Sequence, residues 1–519
     1  MSRDSGRPRA SSGQRSNPAR GTTSNSRQRN GSHRPAQRRG ERTGSRTAAS
    51  SVRSAEQQNA LSLDRALQAA QAVPEPAPAT FGALGVPVPL VAELAARGIH
   101  EPFAIQARAL PDALAGRDVL GRAQTGSGKT LAFGLPMLAR LAEQAARPGT
   151  DPAAGHPTRR ASRAPRVPRG LVLVPTRELA VQVADVLVPL GRALNISVMT
   201  VYGGVAISRQ LERLRHGVDI IVATPGRLLD VMDRGACSLN EVSITVLDEA
   251  DHMADLGFLP SVTRIIDATP DGGQRMLFSA TLDRGVAGLV TRYLTDPALH
   301  AVAPAGSMSD VEHEVFVLPA ADKLAVATEI GSREGRTLFF VRTKHGADRL
   351  AKQLSRAGVP AAAIHGNLNQ NQRQRALAAF TAGEPRVLVA TDVAARGIHV
   401  DDIGLVVHYD PPNDHKDYLH RSGRTARAGA TGTVLALVDP SQVRDVGKMH
   451  DAAGISSVSH HVEPGHQAVR KLASSGTAII PAPPAAPVQP RPHGAPARLR
   501  PHRSAAGSGQ RARPRRAAS

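Results

Sequence analysis

The chain of 519 residues contains one cysteine, Cys237, which excludes an intramolecular disulfide and a cysteine-rich metal site. No run approaches the roughly 18 consecutive apolar residues of a membrane-spanning helix, so no membrane partner is expected. The amino-terminal stretch is rich in Ser and Arg. It lacks both the hydrophobic core of a signal peptide and the amphipathic apolar face of a transit peptide, and it reads as an arm, not an address. A cytoplasmic location is therefore expected. Acids nearly vanish at both ends. Residues 1–55 hold 13 Arg against Asp4 and Glu41, and residues 466–519 hold nine Arg and Lys471 with no acid. The formal charge of +21 is confined to these ends, because 42 basic and 42 acidic residues remain in 56–465. Ser, Gly, Pro, Arg and Gln dominate the ends and could build no core, so 1–78 and 466–519 are expected to be disordered basic tails. Such tails suit nonspecific grip on a polyanion. Lysine is scarce, seven against 58 Arg, and with abundant alanine this suggests a high-GC bacterial genome.

Between the tails, short β-like runs alternate with longer helical stretches, the pattern of an α/β fold with parallel sheets flanked by helices. The first half offers strands at 118–121, 171–176, 219–225, 243–249 and 275–281; the second offers 337–343, 386–392, 403–410 and 432–439. Polar or glycine-containing segments follow most of them, and in open α/β sheets ligands bind at the carboxyl ends of strands. The stretch 295–310, rich in Ala, Pro, Ser and Asp, is expected to link the halves, with the linker proper at 303–310. The Pro- and Arg-rich stretch 146–170 is expected to be an exposed loop, with RNA contact and simple tolerated insertion both open.

The segment "AQTGSGKT" (123–130) has the makings of a phosphate-binding loop. Gly126 and Gly128 let backbone N–H groups approach phosphate oxygens, Lys129 supplies positive charge, and Thr130 can ligate Mg²⁺. Ala123 stands where the strict pattern has glycine. At the end of the apolar run "VSITVL", Asp248 and Glu249 can divide the labour of hydrolysis. Asp248 would hold Mg²⁺ through water and Glu249 would polarise the attacking water. The run "HRSGRTAR" (420–427) places Arg424 and Arg427 three apart, on one face of a helix if helical. It fits either a basic surface patch or a source of charge for a phosphoryl-transfer transition state.

Over about residues 80–440 the chain resembles a DEAD-box RNA helicase of the bacterial type. The resemblance rests on "EPFAIQ" (101–106) after Phe81, then 123–130, "PTRELA" (175–180), "GG" (203–204), "TPGR" (224–227), "DEAD" (248–251) and "SAT" (279–281). In the second half "LFFVRT" (338–343), "HGNLNQNQR" (365–373), "ATDVAARGI" (390–398) and "HRSGRTAR" follow in family order. It implies two tandem RecA-like domains, at 79–302 and 311–465, with ATP in the cleft between them. It further implies that Phe81 packs on adenine, Gln106 reads it, and Gln124, Thr125, Gly126, Ser127, Gly128, Lys129 and Thr130 hold the phosphates. Arg424 and Arg427 would be arginine fingers, and Asp251, Ser279 and Thr281 would couple nucleotide state to domain closure. RNA contacts are implied for Pro175, Thr176, Arg177, Gly204, Thr224, Arg227, Thr343, Gly366, Arg373 and Thr391, mainly to phosphate and sugar. The chain departs from the family at His399, where Asp is usual, at Asn367, where Asp is common, and at Ile99, where an aromatic is usual.

The implied activity is RNA-stimulated ATP hydrolysis that locally unwinds short duplexes or remodels RNA–protein complexes. The alternative is an ATP-gated RNA clamp or annealing chaperone acting through its tails. The expected cofactors are ATP and Mg²⁺. The expected partners are single-stranded and short duplex RNA, with ribosomal or RNA-decay proteins in reach, and the chain is expected to act as a monomer.

Overall fold

Apolar runs of four to seven residues, rich in Val, Ile and Leu, become strands buried on both faces, which is the signature of parallel sheets covered on both sides. In this computed structural model the described residues are 44–74, 79–124, 126–146, 167–302, 311–395, 400, 402–426 and 431–476. Among them the first half contributes β1 Val119–Arg122, β2 Gly170–Leu173, β3 Val198–Val201, β4 Ile220–Ala223, β5 Ile244–Asp248, β6 Gln274–Ser279 and β7 Ala298–Ala301. The second contributes β8 Val311–Val317, β9 Arg336–Phe340, β10 Ala361–Ile364, β11 Val387–Ala390, β12 Ile403–His408, β13 Gly432–Val438 and β14 Val458–His461. Each half forms one parallel sheet, in the orders β3-β4-β2-β5-β6-β1-β7 and β10-β11-β9-β12-β13-β8-β14.

Helices cover both faces of each sheet. On one face of the first sheet the helix Lys129–Ala146 buries Phe133 against Phe278 of β6, with ring centroids 5.7 Å apart. Gly121 in β1 leaves room for that packing, since a Cβ there would lie 2.5 Å from the Phe278 ring. The other face is filled by Leu120, Leu171, Ile221, Leu247 and the helices around them.

Several boundaries differ from the sequence expectation. The segment 1–78, read as a tail, contains the helix Gly44–Ala72. Its Leu67 is fully buried among Leu120, Leu277 and Ala301, and Asp64 pairs with Arg122 at 2.8 Å. One buried Leu and one ion pair are enough to hold an otherwise polar helix on the sheet; the polar composition concealed them. At the other end, the stretch expected to be tail from 466 begins with the helix Gln467–Ala473, which buries Val469 and Leu472 in the second core. The expected link 295–310 contains β7, an edge strand paired with β1. The proposed linker 303–310, most of the loop 146–170, and residues 1–43 and 477–519 of the tails lie outside the described residues. Strands β3, β7, β8, β10 and β14 were not foreseen. β10 is three alanines and an isoleucine, and β14 is polar, so neither carries the apolar signal of a buried strand.

Candidate active site

The strand orders sort the motifs. Along the carboxyl edge of the first sheet, β5, β6 and β1 are neighbours and end in Asp248, Ser279 and the phosphate loop. The adjoining trio β3, β4 and β2 is followed by Gly203–Gly204, Thr224 and Pro175–Thr176. The second sheet repeats the division: β10, β11 and β9 lead to Gly366, Thr391 and Thr343, while β12 leads toward the helix His415–Ser422 and Arg424. Residues expected on nucleotide and residues expected on RNA thus occupy separate stretches of each edge.

The phosphate loop runs from β1 into the amino terminus of the helix Lys129–Ala146, where free N–H groups and the helix dipole favour anions. Gly126 and Gly128 have φ of 93° and 86°, a region that side-chain-bearing residues rarely adopt. Lys129 is buried, and its Nζ donates to the Ala123 carbonyl at 3.0 Å. Ser127 Oγ donates to the Gln124 carbonyl at 2.7 Å, closing the loop on itself. Gln106 joins loop and base-recognition turn: its Oε1 accepts from Phe103 N–H and its Nε2 donates to the Gly128 carbonyl, both at 2.9 Å. A cavity of about 670 Å³ is lined by Ile99, Phe103, Gln106, Gly126, Gly128, Lys129, Thr130, Asp248 and Glu249. Thr125 lies outside the described residues.

Asp248 and Glu249 are both buried beside Lys129. Burial pushes the Asp248 carboxyl up to about 7, against the pull of Lys129. Burial acts on Glu249 in the same sense, but the hydrogen bond and charge of His252, with Lys129 and Arg424, hold it well below its ordinary range. His252 Nδ1 lies 3.2 Å from Glu249 Oε2. Glu249 has φ 52°, ψ 54°, a left-handed conformation costly for a residue with a side chain, and the kind of strain found at functional sites. His252 was missed in the sequence, although its place three residues after Glu249 at a helix start puts it on the same face.

Asp251 Oδ2 accepts both the Thr281 N–H and the Thr281 hydroxyl at 2.9 Å, and Asp251 N–H donates to Ser279 Oγ at 3.2 Å. The three residues expected to couple nucleotide state to closure therefore form one hydrogen-bonded group. Arg424, from the second half, is buried and near enough for its charge to lower the Glu249 carboxyl. It also donates to the His420 carbonyl at 3.3 Å. Arg427 and His399 lie outside the described residues.

Two expected roles change. Phe81 is 1% exposed, packed among Val86, Leu90 and Ile105, and is not on the cavity wall; a ring sealed in the core has no face for adenine. Arg373, expected on RNA, instead donates through Nε to Glu178 Oε1 at 2.8 Å, with both side chains buried. A guanidinium so engaged presents no open face to a phosphate. The remaining expected RNA residues stand at strand ends or helix starts. Thr176 and Thr343 cap the helices Arg177–Ala193 and Lys344–Arg356, accepting from Leu179 and Gly346 N–H. The Arg177 guanidinium packs on Gly204, Arg227 donates to the Val205 carbonyl at 3.2 Å, Gly366 is exposed, and Pro175, Thr224 and Thr391 are buried.

Residues 103–289 match the family described as DEAD/DEAH box helicase, and 322–429 match the helicase conserved C-terminal domain, together more than half of the chain. The chain is 39% identical over 371 residues to DEAD-box ATP-dependent RNA helicase 53 of Oryza sativa subsp. japonica, covering 70% of this chain and 58% of that one. It is 39% identical over 373 residues to ATP-dependent RNA helicase DBP2 of Eremothecium gossypii, covering 70% and 64%. The chain thus spans less than two thirds of the length of these relatives. Its fold is similar to that of S. cerevisiae Dbp5 bound to RNA and ADP BeF3, with TM-score 0.64 and 28% identity, covering 76% of this chain and all of that one.

Proposed function

Since this chain belongs to the DEAD-box helicase family, we propose that it is an ATP-dependent RNA helicase, hydrolysing ATP to ADP and phosphate while locally opening short RNA duplexes or remodelling RNA–protein complexes. The observation that carries the reading is the meeting of halves at one carboxylate. Arg424 of the second half acts on Glu249 of the first, beside the phosphate loop.

In this mechanism the loop N–H groups and Lys129 hold the triphosphate. Glu249, kept ionised, accepts a proton from a water molecule whose oxygen attacks the γ-phosphorus, and the bond to the β–γ bridging oxygen breaks, releasing ADP. Arg424 stabilises the charge on the transferring group, so hydrolysis depends on the halves being together. Thr130 and Asp248 fit Mg²⁺: they share the cavity wall, and the buried Asp248 carboxyl calls for a nearby cation to ionise. One hydroxyl and one carboxylate with substrate phosphates is a usual Mg²⁺ donor set, and the bound ion would neutralise phosphate charge.

RNA would cross the two Gly- and Thr-bearing edges formed after β3, β4, β2 and β10, β11, β9, held chiefly by phosphate and sugar. The basic tails would tether the core to structured RNA. Composition favours a bacterial, cytoplasmic protein acting as a monomer, with ribosomal or RNA-decay proteins as partners.

The test is ATP hydrolysis by the purified chain with and without single-stranded RNA, with DNA of the same sequence as control. Stimulation by RNA alone supports the helicase. Tight RNA binding without stimulation by either would replace it with the annealing or clamp reading.

A further inference from the structure

Phe103 begins the turn that delivers Gln106 to the phosphate loop, and its ring is left in the open. It is 59% exposed, the one aromatic among the exposed large apolar side chains of the described residues. Its backbone is fixed, because Gln106 Oε1 accepts its N–H at 2.9 Å. Its ring lies on the wall of the cavity shared by Gln106, Lys129, Thr130, Asp248 and Glu249. The ring also abuts the loop, since a Cβ built on Gly128 would lie 2.7 Å from Phe103 Cδ2.

A flat apolar face beside a phosphate site favours a ligand that is flat and apolar at one end and anionic at the other. A nucleotide is such a ligand, and bases stack on aromatic side chains through their π-faces. Gln106 stands next to the ring with an amide that can hydrogen-bond the edge of a base, and Ile99 adds apolar wall. Phe81 cannot take this part from within the core.

We infer that Phe103 is the stacking platform for the base of the bound nucleotide and a determinant of nucleotide affinity, a role resting on the ATPase reading above. The ring supplies sequence-tolerant stacking, while Gln106 supplies discrimination between bases. The exposed ring is thereby covered when nucleotide binds.

The experiment titrates the full chain and its Phe103→Ala, Phe103→Tyr and Phe103→Trp variants with ADP and with inorganic tripolyphosphate. The chain has no tryptophan, so Phe103→Trp introduces the sole indole at this position. Phe103→Ala is expected to weaken ADP about tenfold while tripolyphosphate affinity stays within twofold, and Phe103→Tyr to keep ADP affinity within about threefold. In Phe103→Trp, ADP should quench the fluorescence and tripolyphosphate should not. Unchanged ADP affinity in Phe103→Ala would overturn the inference alone. So would an equal loss for both ligands, which would make the ring a support for the loop. A wild-type chain that binds neither ADP nor ATP would overturn the ATPase reading and this inference together.

Discussion

Arg373 reaches from the second half of the chain to Glu178 of the first, with Nε 2.8 Å from Oε1, and Gln370 donates to the same oxygen at 3.1 Å. Removing one partner of a buried pair leaves the other charge uncompensated, at a cost of roughly 3–5 kcal/mol. Glu178→Ala is therefore expected to reduce RNA-stimulated ATP turnover at least tenfold by disfavouring the joined arrangement, with ATP affinity little changed. Steady-state kinetics and a fluorescent distance pair across the halves check this. The exchange Glu178→Arg with Arg373→Glu should recover part of the loss, a coupling that two independent RNA-binding residues would not show.

Glu249→Gln should bind ATP and RNA but lose turnover by about 10² or more, the usual contribution of a positioned base. Single-turnover hydrolysis measures it directly. Near-normal rates would remove Glu249 from the role of base.

Phe81→Ala is expected to cost about 3–5 kcal/mol of stability, as for other large-to-small core changes. The folded fraction should bind ADP as tightly as wild type. Denaturant melts with and without ADP separate the two effects, and a selective loss of ADP affinity would return Phe81 to the base pocket.

His408 is fully buried, and among the described residues neither ring nitrogen has a hydrogen-bond partner. Burial, then the charges of Arg421, His450 and His313, holds its imidazole well below the ordinary value. The folded chain keeps it neutral while the unfolded chain takes a proton below about pH 6.5. Stability from this group is thus intact above that pH and lost as pH falls below it toward the folded value, with His450 shifted in the same direction. His408→Leu should flatten the fall in Tm between pH 7 and 5 relative to wild type. An unchanged slope would show that carboxylates alone set it.

Deleting 1–43 and 477–519 should weaken RNA binding and make its salt dependence shallower, since the slope falls by about one for every phosphate that the tails no longer neutralise. RNA-stimulated hydrolysis should persist. Deleting 1–78 should additionally lower stability by roughly 2–5 kcal/mol, as expected for removal of a buried leucine such as Leu67. Melting curves of the two truncations distinguish tail from packed helix.

The phosphate loop, the acidic pair and the parallel α/β plan were legible in the sequence because each rests on local chemistry. Glycines beside Lys129, carboxylates ending an apolar run and apolar stretches at regular spacing all act within a few residues. Pairs such as Glu178 with Arg373, Asp64 with Arg122 and Arg424 near Glu249 join residues from 58 to nearly 200 positions apart, and no local pattern selects one Arg among 58. Tertiary packing also decided between two phenylalanines. Phe81 and Phe103 are chemically identical and both precede Gln106, but one faces the core and the other the cavity. Burial is a property of the assembled neighbours, and the identity of a residue does not contain it.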